Sequence, residues 1–590
     1  MKNLLLGLSI LMAGLTTSCS EFFDVDSTHY INAEEDHLKT ATDTIYSVIG
    51  ILNKVQAIGD RTILLGEMRG DLVSVTSKTS ADLRNVAQFN IDDDNQYNQP
   101  RDYYAIINNC NYFIAHADTA MKNNRNEYIF MREYAAVKAI RAWTYLQLVT
   151  TYGRVPFVID PIMTDEEAQK DYPMYDIQQV CDYFTTQDGL LNLADKGYPG
   201  YGDIRFLNSK LFYFPIYLVV GDMYLWSGKY WEAALCYHKY ITTRNGVNGS
   251  YPIYANCVSW AGDNYDPQRD ISESSYLTLL QTENDGGELI TMIPMDSLKS
   301  EANYSQLRNI FSARSENDYM VSAAPSQNLI ELSASQDYWD YDSRTMSFSK
   351  APKNIGSYCD GDLRLQSYCY MEENQTINGN LIEKYIINRK FNTSRNVRIY
   401  RRAMVYLRLA EAVNRAGYPR YAFQILKTGV DEEYLKEVIC PDYPEDSAKL
   451  VNNLNFPTDK YLVADPFSLQ GDAMNTVGIH WRGCGYPMGD TLYVMPYNKE
   501  IAAGPDSVAS QIAYQMEKVE DLIVDEMALE LAFEGTRYYD LMRVALHRND
   551  PSYLDRKVKA RNGEGNDSGV SVDLTNMSNW FLHWQGKIGY

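Results

Sequence analysis

The sequence is poor in basic residues and histidines, and none of its cysteines are closely spaced. Its 54 lysines and arginines stand against 77 aspartates and glutamates, which gives a net charge of -23. Proteins that bind nucleic acid cluster lysine and arginine against phosphates, so this balance argues against that class. The nine cysteines contain no C-x-x-C pair and the seven histidines show no paired spacing. We therefore expect no transition-metal site and no cofactor.

Long hydrophobic runs are missing after the N-terminus, so no membrane-spanning helix is predicted there. Lys2 precedes an apolar run from Leu4 to Leu15 that would extend only about 18 Å as a helix, against a hydrocarbon core of about 30 Å. This pattern indicates a secretory signal peptide over residues 1–18, with a buried N-terminal helix as the alternative. The small residues before Cys19 resemble a bacterial lipobox, and ordinary cleavage nearby is the alternative. We expect Cys19 to be acylated and to anchor the protein to a membrane.

Tyrosine is the residue that the sequence has in excess. There are 48 tyrosines and 18 phenylalanines among 590 residues. Tyrosine combines a flat apolar face with a polar tip, which suits wet surfaces that bind polar ligands. With 22% charged and 45% hydrophobic residues, the chain is of ordinary globular composition and long enough to bury a large core.

Three apolar stretches predict buried helices, the first over residues 134–148 and the others over 211–240 and 401–426. The first stretch is rich in alanine and leucine and is apolar on most sides, as expected of a helix inside the core. Gly153 and Pro156 are predicted to end it.

The second and third stretches share one spacing. A glycine ends the first helix of each, and an alanine follows five residues later, which gives Gly228 with Ala233 and Gly417 with Ala422. The glycine supplies the C-cap and the small alanine lets two antiparallel helices approach closely, as in a tetratricopeptide unit. Each stretch therefore predicts a helix pair, and the first helix of the second stretch is expected over residues 211–224.

Residues 241–395 separate these helix pairs and are rich in Asn, Asp, Ser and Gly. Within them, Tyr276–Leu280 and Leu289–Ile293 predict short strands. The expected fold is mainly α: a tetratricopeptide-like scaffold of helix pairs that carries an irregular, loop-rich lobe with a few short strands. Functional residues are expected on such loops.

The most specific motif lies near the C-terminus, where residues 530–543 have the sequence ELAFEGTRYYDLMR. This segment closely resembles the C-terminal signature of the SusD/RagB family, which are outer-membrane glycan-binding lipoproteins of Bacteroidetes. Further segments resemble the family in the same order along the chain: 19–24, 141–157, 362–364 and 406–417.

The resemblance implies a single SusD-like domain over residues 19–590, with helical parts at 19–240 and 396–590 around the loop-rich lobe 241–395. It implies a lipid-anchored protein on the cell surface that is not an enzyme. The implied partners are an oligosaccharide or polysaccharide and a SusC-like TonB-dependent outer-membrane transporter that receives it. Peptide import, as in RagB-like relatives, is the alternative, and a surface glycoside hydrolase is a further one.

Three glutamates of this signature region need cations nearby. Glu526, Glu530 and Glu534 follow one another at i, i+4 and i+8, so they share one helix face and repel one another. Arg537 and Arg543 are the local candidates for their partners. An ion-paired helix junction is the favoured interpretation, and a catalytic carboxylate pair is the alternative.

A glycan site needs exposed rings for the C–H faces of sugars, with polar groups for the hydroxyls. Rings inside polar loops are therefore the candidates. They are Tyr338, Trp339 and Tyr341 in one cluster, Trp260 and Tyr265 in a second, and Tyr97 in a third. The acidic run at 92–95 beside Tyr97 lacks the spacing of a calcium loop, so calcium is a possible ligand that we do not expect.

Overall fold

The structure is a computed structural model that describes most of the chain. The described residues are 38, 41–243, 253–254, 275–284, 288–296, 298, 300, 303–312, 321–342, 344–350, 361–372, 375–377, 380–382, 385–456, 475–476, 478–486, 489–504, 507–563, 565–584 and 588. The predicted signal peptide, Cys19, Trp260 and Tyr265 lie outside them.

Helices make up most of the described chain. The α-helices, α1 to α22 in chain order, are Ala41–Gln56, Gly59–Glu67, Ala81–Ala87, Pro100–His116, Met131–Tyr152, Asp165–Ala168, Ile177–Asp182, Ile216–Trp226, Tyr230–Thr243, Ser275–Gln281, Leu307–Phe311, Gln327–Ser335, Leu363–Tyr368, Arg402–Arg415, Pro419–Lys427, Glu432–Tyr434, Ser447–Leu454, Trp481–Cys484, Lys499–Ala502, Ser507–Leu531, Arg537–Arg548 and Pro551–Lys559. Shorter π or 3-10 turns are Tyr183–Gln187, Leu190–Lys196, Ser209–Phe212, Leu435–Ile439, Cys440–Asp442 and Met577–Trp580.

The strands are short, and those described pair only in antiparallel twos. Strands β1 to β16 are Val73–Val75, Arg154–Pro156, Met174–Asp176, Asp203–Ile204, Leu207–Asn208, Ile253–Tyr254, Leu289–Ile293, Ala323–Pro325, Trp339–Asp342, Ser347–Lys350, Cys369–Glu372, Gln375–Ile377, Asn380–Ile382, Tyr385–Asn388, Val397–Arg401 and Asn475–Thr476. Their pairs are β1–β8, β2–β3, β4–β5, β6–β16, β7–β15, β9–β10, β11–β14 and β12–β13. The predicted fold class, mainly α with a few short strands, is confirmed.

Helix pairs form the scaffold. Helix α4 packs on α5, α8 on α9, α14 on α15, and α20 on α21. Each pair also contacts the next, through α5 with α8, α9 with α14, and α14 with α20. The apolar side chains of these helices belong to one continuous core. The result is a solenoid-like stack, as expected of tetratricopeptide-type pairing.

The first predicted helix is confirmed and the second begins later than expected. Helix α5 covers the predicted 134–148 and ends at Gly153, whose φ of 77° places it in the left-handed region. The helix predicted from Leu211 starts only at Ile216. Pro215 caps it, because its fixed φ and missing N–H allow a helix to begin but not to run through it.

The glycine–alanine spacing is confirmed in both pairs. Gly228 and Gly417 end their helices with φ of 73° and 100°, a conformation that costs glycine nothing. Ala233 and Ala422, five residues later, are completely buried between helices. The small side chains lie where the paired helices come close, as the sequence predicts.

One of the two strand predictions in the lobe is wrong. Leu289–Ile293 forms β7, which is buried along its length and pairs with β15. Tyr276–Leu280 instead lies in helix α10, with Tyr276 and Leu280 buried and Thr278 exposed. A short apolar run has no clear period, and here burial at i and i+4 places one helix face on the core.

The described helices include no candidate for a membrane-spanning segment. None of them combines the length and the apolar composition that crossing a bilayer requires.

Candidate functional site

Glu526 and Glu530 near the end of α20, and Glu534 in the turn after it, form the centre of a buried ion network. The predicted helix face therefore holds for the first two glutamates and is wrong for Glu534. The side chains of Glu526, Glu530 and Glu534 are 2%, 0% and 9% exposed. Burying like charges together is unfavourable unless cations compensate them. Arginines, a lysine and a histidine from distant segments do so, which confirms the predicted ion-paired junction.

Arg364 binds three carboxylates of this network at once. Its guanidinium donates to Asp362 at 2.5 Å, to Glu526 at 2.6 Å and to Glu530 at 2.8 Å. Asp362 also caps helix α13, since its carboxylate accepts the backbone N–H of Arg364 at 2.8 Å. The Asp-x-Arg element at 362–364 is therefore a buried structural unit that joins the lobe to α20.

Arg401 and Lys390 hold the other end of the network. Arg401, the last residue of β15, donates to Glu530 at 2.7 Å and to Glu534 at 2.5 Å. The Nζ atom of Lys390 donates to Glu534 at 2.9 Å. Arg482 lies 3.2 Å from Glu530, and His480 lies 3.0 Å from Glu526. Two cations from the lobe, Arg364 and Lys390, and three from the part after it therefore hold the three glutamates.

The predicted partners Arg537 and Arg543 are wrong. Arg537 donates to Asp71 at 2.6 Å, and Arg543 donates to Glu411 at 2.6 Å. Both arginines lie on α21, which turns away from the end of α20 after Gly535. Sequence proximity suggested the pairing, whereas the turn directs the two side chains to other parts of the core.

The electrostatics of the three glutamates are those of structural groups. Burial alone would raise the pKa of Glu526, Glu530 and Glu534, but the surrounding arginines hold it below its ordinary value. A glycosidase needs an acid whose pKa is raised beside an open cleft. These glutamates are ionised and already paired with cations, so they are unsuited to that role.

The strongest predicted ring cluster lies in the hairpin β9–β10. The hairpin packs on the segment after α18, where the backbone N–H of Tyr486 donates to the carbonyl of Trp339 at 2.9 Å. The ring of Tyr341 lies 5.1 Å from Phe348 and 5.7 Å from Tyr486. We call the partly exposed rings of this cluster, Trp339 and Tyr341, the hairpin rings.

The six predicted binding rings are not equally placed. Trp339 and Tyr341 are half-buried, whereas Tyr338 is 5% exposed and belongs to the core. The indole N–H of Trp339 is buried and has no acceptor among the described residues. Tyr97 is half-buried against the core in the loop before α4, and Trp260 and Tyr265 lie outside the described residues. The hairpin rings are thus the predicted pair that the structure leaves partly open.

A large cleft that the sequence did not predict lies where several helices end. Its volume is about 1220 Å³. We call it the helix-end cleft and define it by the end of α5 at Tyr152–Gly153, the turn 227–230, His547 at the end of α21, and the C-terminal segment 577–584. The aromatic sequence Trp580-Phe581-Leu582-His583-Trp584 was the one signal in the sequence that pointed to it.

Comparisons with known proteins agree with the geometry. A family model described as the SusD family matches residues 497–580, the segment that holds α19 to α22. No curated protein matches the chain in sequence.

Solved structures share the fold over nearly the whole chain. A SusD superfamily protein from Bacteroides thetaiotaomicron VPI-5482 is 14% identical, with 92% of this chain and 93% of that chain covered and a TM-score of 0.54. The surface glycan-binding protein A from Bacteroides uniformis is 15% identical, with 92% and 96% covered and a TM-score of 0.53. NanU from B. fragilis is 16% identical, with 93% and 95% covered and a TM-score of 0.51.

The chain has a SusD-like fold, and its segment 497–580 matches the SusD family. In this SusD-like protein the signature includes a tight crossing between α2 and the turn after α20. A Cβ atom on Gly66 would lie 1.7 Å from the carbonyl oxygen of Gly535. The carboxylate of Glu67 accepts the backbone N–H groups of Phe533 at 3.0 Å and Gly535 at 2.8 Å. The matched segment thus contributes a close junction between helices.

Proposed function

We propose that this protein is a cell-surface lipoprotein that binds an oligosaccharide or polysaccharide and delivers it to a SusC-like TonB-dependent outer-membrane transporter. The observation that carries the proposal is the SusD-like fold, which covers more than nine-tenths of the chain in several solved structures. One of these is named a surface glycan-binding protein. The family segment at 497–580 supports the same assignment.

The hairpin rings are the proposed contact with the glycan. Trp339 and Tyr341 are separated by Asp340 on β9, so the two rings lie on the same face of the strand, and both remain partly exposed. If each ring contributes about as much as an aromatic pair, roughly 0.5–1.5 kcal/mol, the two rings supply about 1–3 kcal/mol. Hydrogen bonds and other contacts must supply the rest of the roughly 4–8 kcal/mol that the expected millimolar to micromolar affinity requires. Weak binding suits a protein that must release its ligand to a transporter.

The proposal includes no bond cleavage. The glutamates of the signature are buried and ion-paired, and the similar protein from B. uniformis is named for binding. Import of peptides and hydrolysis of surface glycans are the alternatives that an experiment must separate.

A glycan panel tests the proposal directly. The purified protein is titrated with soluble polysaccharides, and both binding and new reducing ends are measured. Binding without new reducing ends is the expected result. Release of reducing ends would make the protein a hydrolase, and binding of protein digests without any response to sugars would make it a peptide importer.

Substitutions test the hairpin rings. Trp339→Ala and Tyr341→Ala are each expected to weaken glycan binding by roughly 2- to 10-fold. Phe206→Ala is the matched control, because Phe206 is a fully exposed ring at the turn between β4 and β5. Equal affinities in all three variants would remove the hairpin rings from the site while leaving glycan binding itself intact.

The anchor and the transporter need a cellular test. In the native bacterium, Cys19→Ala is expected to release the protein from the outer-membrane fraction, because acyl chains on that residue provide the proposed anchor. A TonB-dependent barrel protein is expected to copurify with the wild-type protein. Retention of the Cys19→Ala variant in the membrane would exclude the lipid anchor.

A further inference from the structure

The helix-end cleft has room for an extended ligand. Its volume of about 1220 Å³ exceeds the ~300–1,000 Å³ of pockets that enclose a drug-sized molecule. Rings line it from both sides. Tyr230 and His547 come from the helix ends, with ring centroids 5.1 Å apart, and Phe581 and Trp584 come from the C-terminal segment. All four side chains are half-buried.

The two rings of the C-terminal segment are fixed in place by their neighbours. The ring of Phe581 packs on the backbone of Gly153, where an added Cβ atom would lie 2.8 Å from it. Gly153 has a φ of 77°, so this close packing depends on glycine. The ring of Trp584 lies 5.5 Å from Tyr104 and 5.7 Å from Tyr152. A ligand would therefore meet rings that need little ordering on binding.

The backbone under these rings is anchored as well. The N–H of Leu582 donates to the carbonyl of Thr151 at 3.0 Å. Asn98 donates to the carbonyl of His583 at 3.1 Å, and the ring of His583 is hydrogen-bonded to Asp93 at 2.9 Å. The segment thus forms a rigid wall of the cleft.

The charges around the helix-end cleft nearly cancel. Arg154 and Asp176, of opposite charge, are opposite each other in the backbone register of the β2–β3 pair. Burial lowers the pKa of His547 to about 4, so that ring is neutral at pH 7. Arg69 donates to two backbone carbonyls and a tyrosine hydroxyl. A site for phosphate, sulfate or uronic acids would need a cluster of positive charges. Among the described residues, no such cluster faces the cleft.

We infer that the helix-end cleft is a second carbohydrate site, which binds a neutral oligosaccharide of several units by stacking sugars on Phe581, Trp584 and Tyr230. Sugars present apolar C–H faces to such rings and hydroxyls to the edges, where Gln178 and Asn579 offer uncharged donors and acceptors. The inference rests on the proposed glycan binding but on residues separate from the hairpin rings.

The test uses the full-length mature protein and defined probes. These are heptasaccharides of the malto-, cello- and manno-series, with an oligogalacturonate of similar length as the charged comparison. The variant Phe581→Ala/Trp584→Ala is expected to weaken binding of at least one neutral series by about 10-fold. Gln178→Trp fills the cleft from an exposed position without removing either ring, and it is expected to weaken the same series. Phe206→Ala is the matched control and is expected to bind normally.

The outcomes separate this inference from the proposed function. If the wild-type protein binds no sugar, both are overturned. If it binds a neutral series and only Trp339→Ala/Tyr341→Ala reduces that binding, the proposed function stands and the cleft inference fails. If Gln178→Trp loses binding of the neutral series while its melting temperature is unchanged, the result supports the cleft as a carbohydrate site. If the cleft variants weakened binding of oligogalacturonate more than binding of any neutral series, the inference that the ligand is neutral would be overturned.

Discussion

Arg364 shows how much the fold depends on one buried side chain. It is completely buried and donates hydrogen bonds to Asp362, Glu526 and Glu530 together. Arg364→Met would remove the arginine paired with Asp362 and one of the cations paired with Glu526 and with Glu530. Because these carboxylates stay buried, we expect the free energy of unfolding to fall by about 3–5 kcal/mol. Urea denaturation of the purified variant measures the change.

The control for this substitution is an arginine that also forms an ion pair but lies on the surface. Arg556 pairs with Asp550 at 3.1 Å, and its side chain is 63% exposed. Arg556→Met is expected to leave the urea midpoint almost unchanged, since solvent screens exposed pairs. If the free energy of unfolding fell equally in both variants, the buried network would contribute no more to stability than a surface ion pair.

Glu67 is a buried acid that should make the protein less stable as the pH rises. Burial raises the pKa of Glu67 from 4.5 to about 7. The folded state therefore keeps a proton that the unfolded state has lost, and this contribution to stability is present below pH 4.5 and disappears as the pH rises through 7. Its size is about 3 kcal/mol at most. We expect the urea midpoint at low ionic strength to be lower at pH 8 than at pH 5.

Glu67→Gln isolates this effect. Glutamine keeps the shape but does not titrate, so the variant is expected to change less between pH 5 and pH 8 than the wild-type protein. It is also expected to be less stable at pH 5, because its amide offers one acceptor to the two backbone N–H groups of Phe533 and Gly535. Identical pH dependence in the two proteins would show that Glu67 is ionised throughout this range.

At the scale of elements, the crossing of α2 over the turn after α20 depends on glycine. Any side chain on Gly66 would overlap the carbonyl of Gly535, which is backbone and cannot rotate away. Gly66→Ala is expected to cost at least about 3 kcal/mol. The measurement is again urea denaturation, with circular dichroism to follow helix content.

Gly50→Ala is the matched control for Gly66→Ala. Gly50 lies inside α1, and a Cβ atom there would meet nothing within 4 Å. Alanine is expected to raise stability by about 0.5–1 kcal/mol, because it has the higher helix propensity. Destabilisation of similar size at both positions would contradict the role of close approach.

Much of the helical scaffold could be predicted from the sequence because local rules determine it. Gly153, Gly228 and Gly417 end helices through their own backbone conformation, which needs no knowledge of distant residues. Tyr276–Leu280 was assigned wrongly because only contact with the core decides which of its residues are buried. Pro215 carried the information that the helix predicted from Leu211 could not begin there, since proline starts a helix but does not continue it.

For the whole molecule, acid is the condition that should unfold the protein. Cations hold the pKa of several buried carboxylates below the ordinary value, namely Asp71, Glu411, Asp490, Glu526, Glu530 and Glu534. The unfolded state binds protons before the folded state does, so stability is present above about pH 4.5 and is lost as the pH falls further. We expect the melting temperature to drop steeply below pH 4.

Salt distinguishes the buried network from surface charges. Buried pairs are screened much less than exposed ones, so the acid transition is expected to move little between 0.1 M and 0.5 M sodium chloride. An acid transition that shifts strongly with salt would show that exposed charges cause it. A melting temperature unchanged down to pH 2.5 would show that protonation of the buried carboxylates does not destabilise the protein.

The candidate site was less predictable than the scaffold. The sequence indicated that Glu526, Glu530 and Glu534 need cations, but the partners Arg364 and Arg401 lie more than a hundred positions away in the chain. Rings in polar loops were found by composition alone, and composition cannot separate buried Tyr338 from the half-buried hairpin rings. The helix-end cleft depends on where separate helices end in space, so the aromatic sequence at 580–584 marks one wall of the cleft but cannot reveal the rest.

The contacts between α2 and the turn after α20 set the order in which the protein can finish folding. Glu67 and Gly535 are 468 positions apart, and Arg69 and Trp580 are 511 positions apart. A ribosome that adds roughly 5–20 residues per second needs about half a minute to a minute and a half to span that distance. Until then α2 has been synthesised without the partners that cover it. The nascent chain must therefore be kept from aggregating by other means until residues 533–580 emerge.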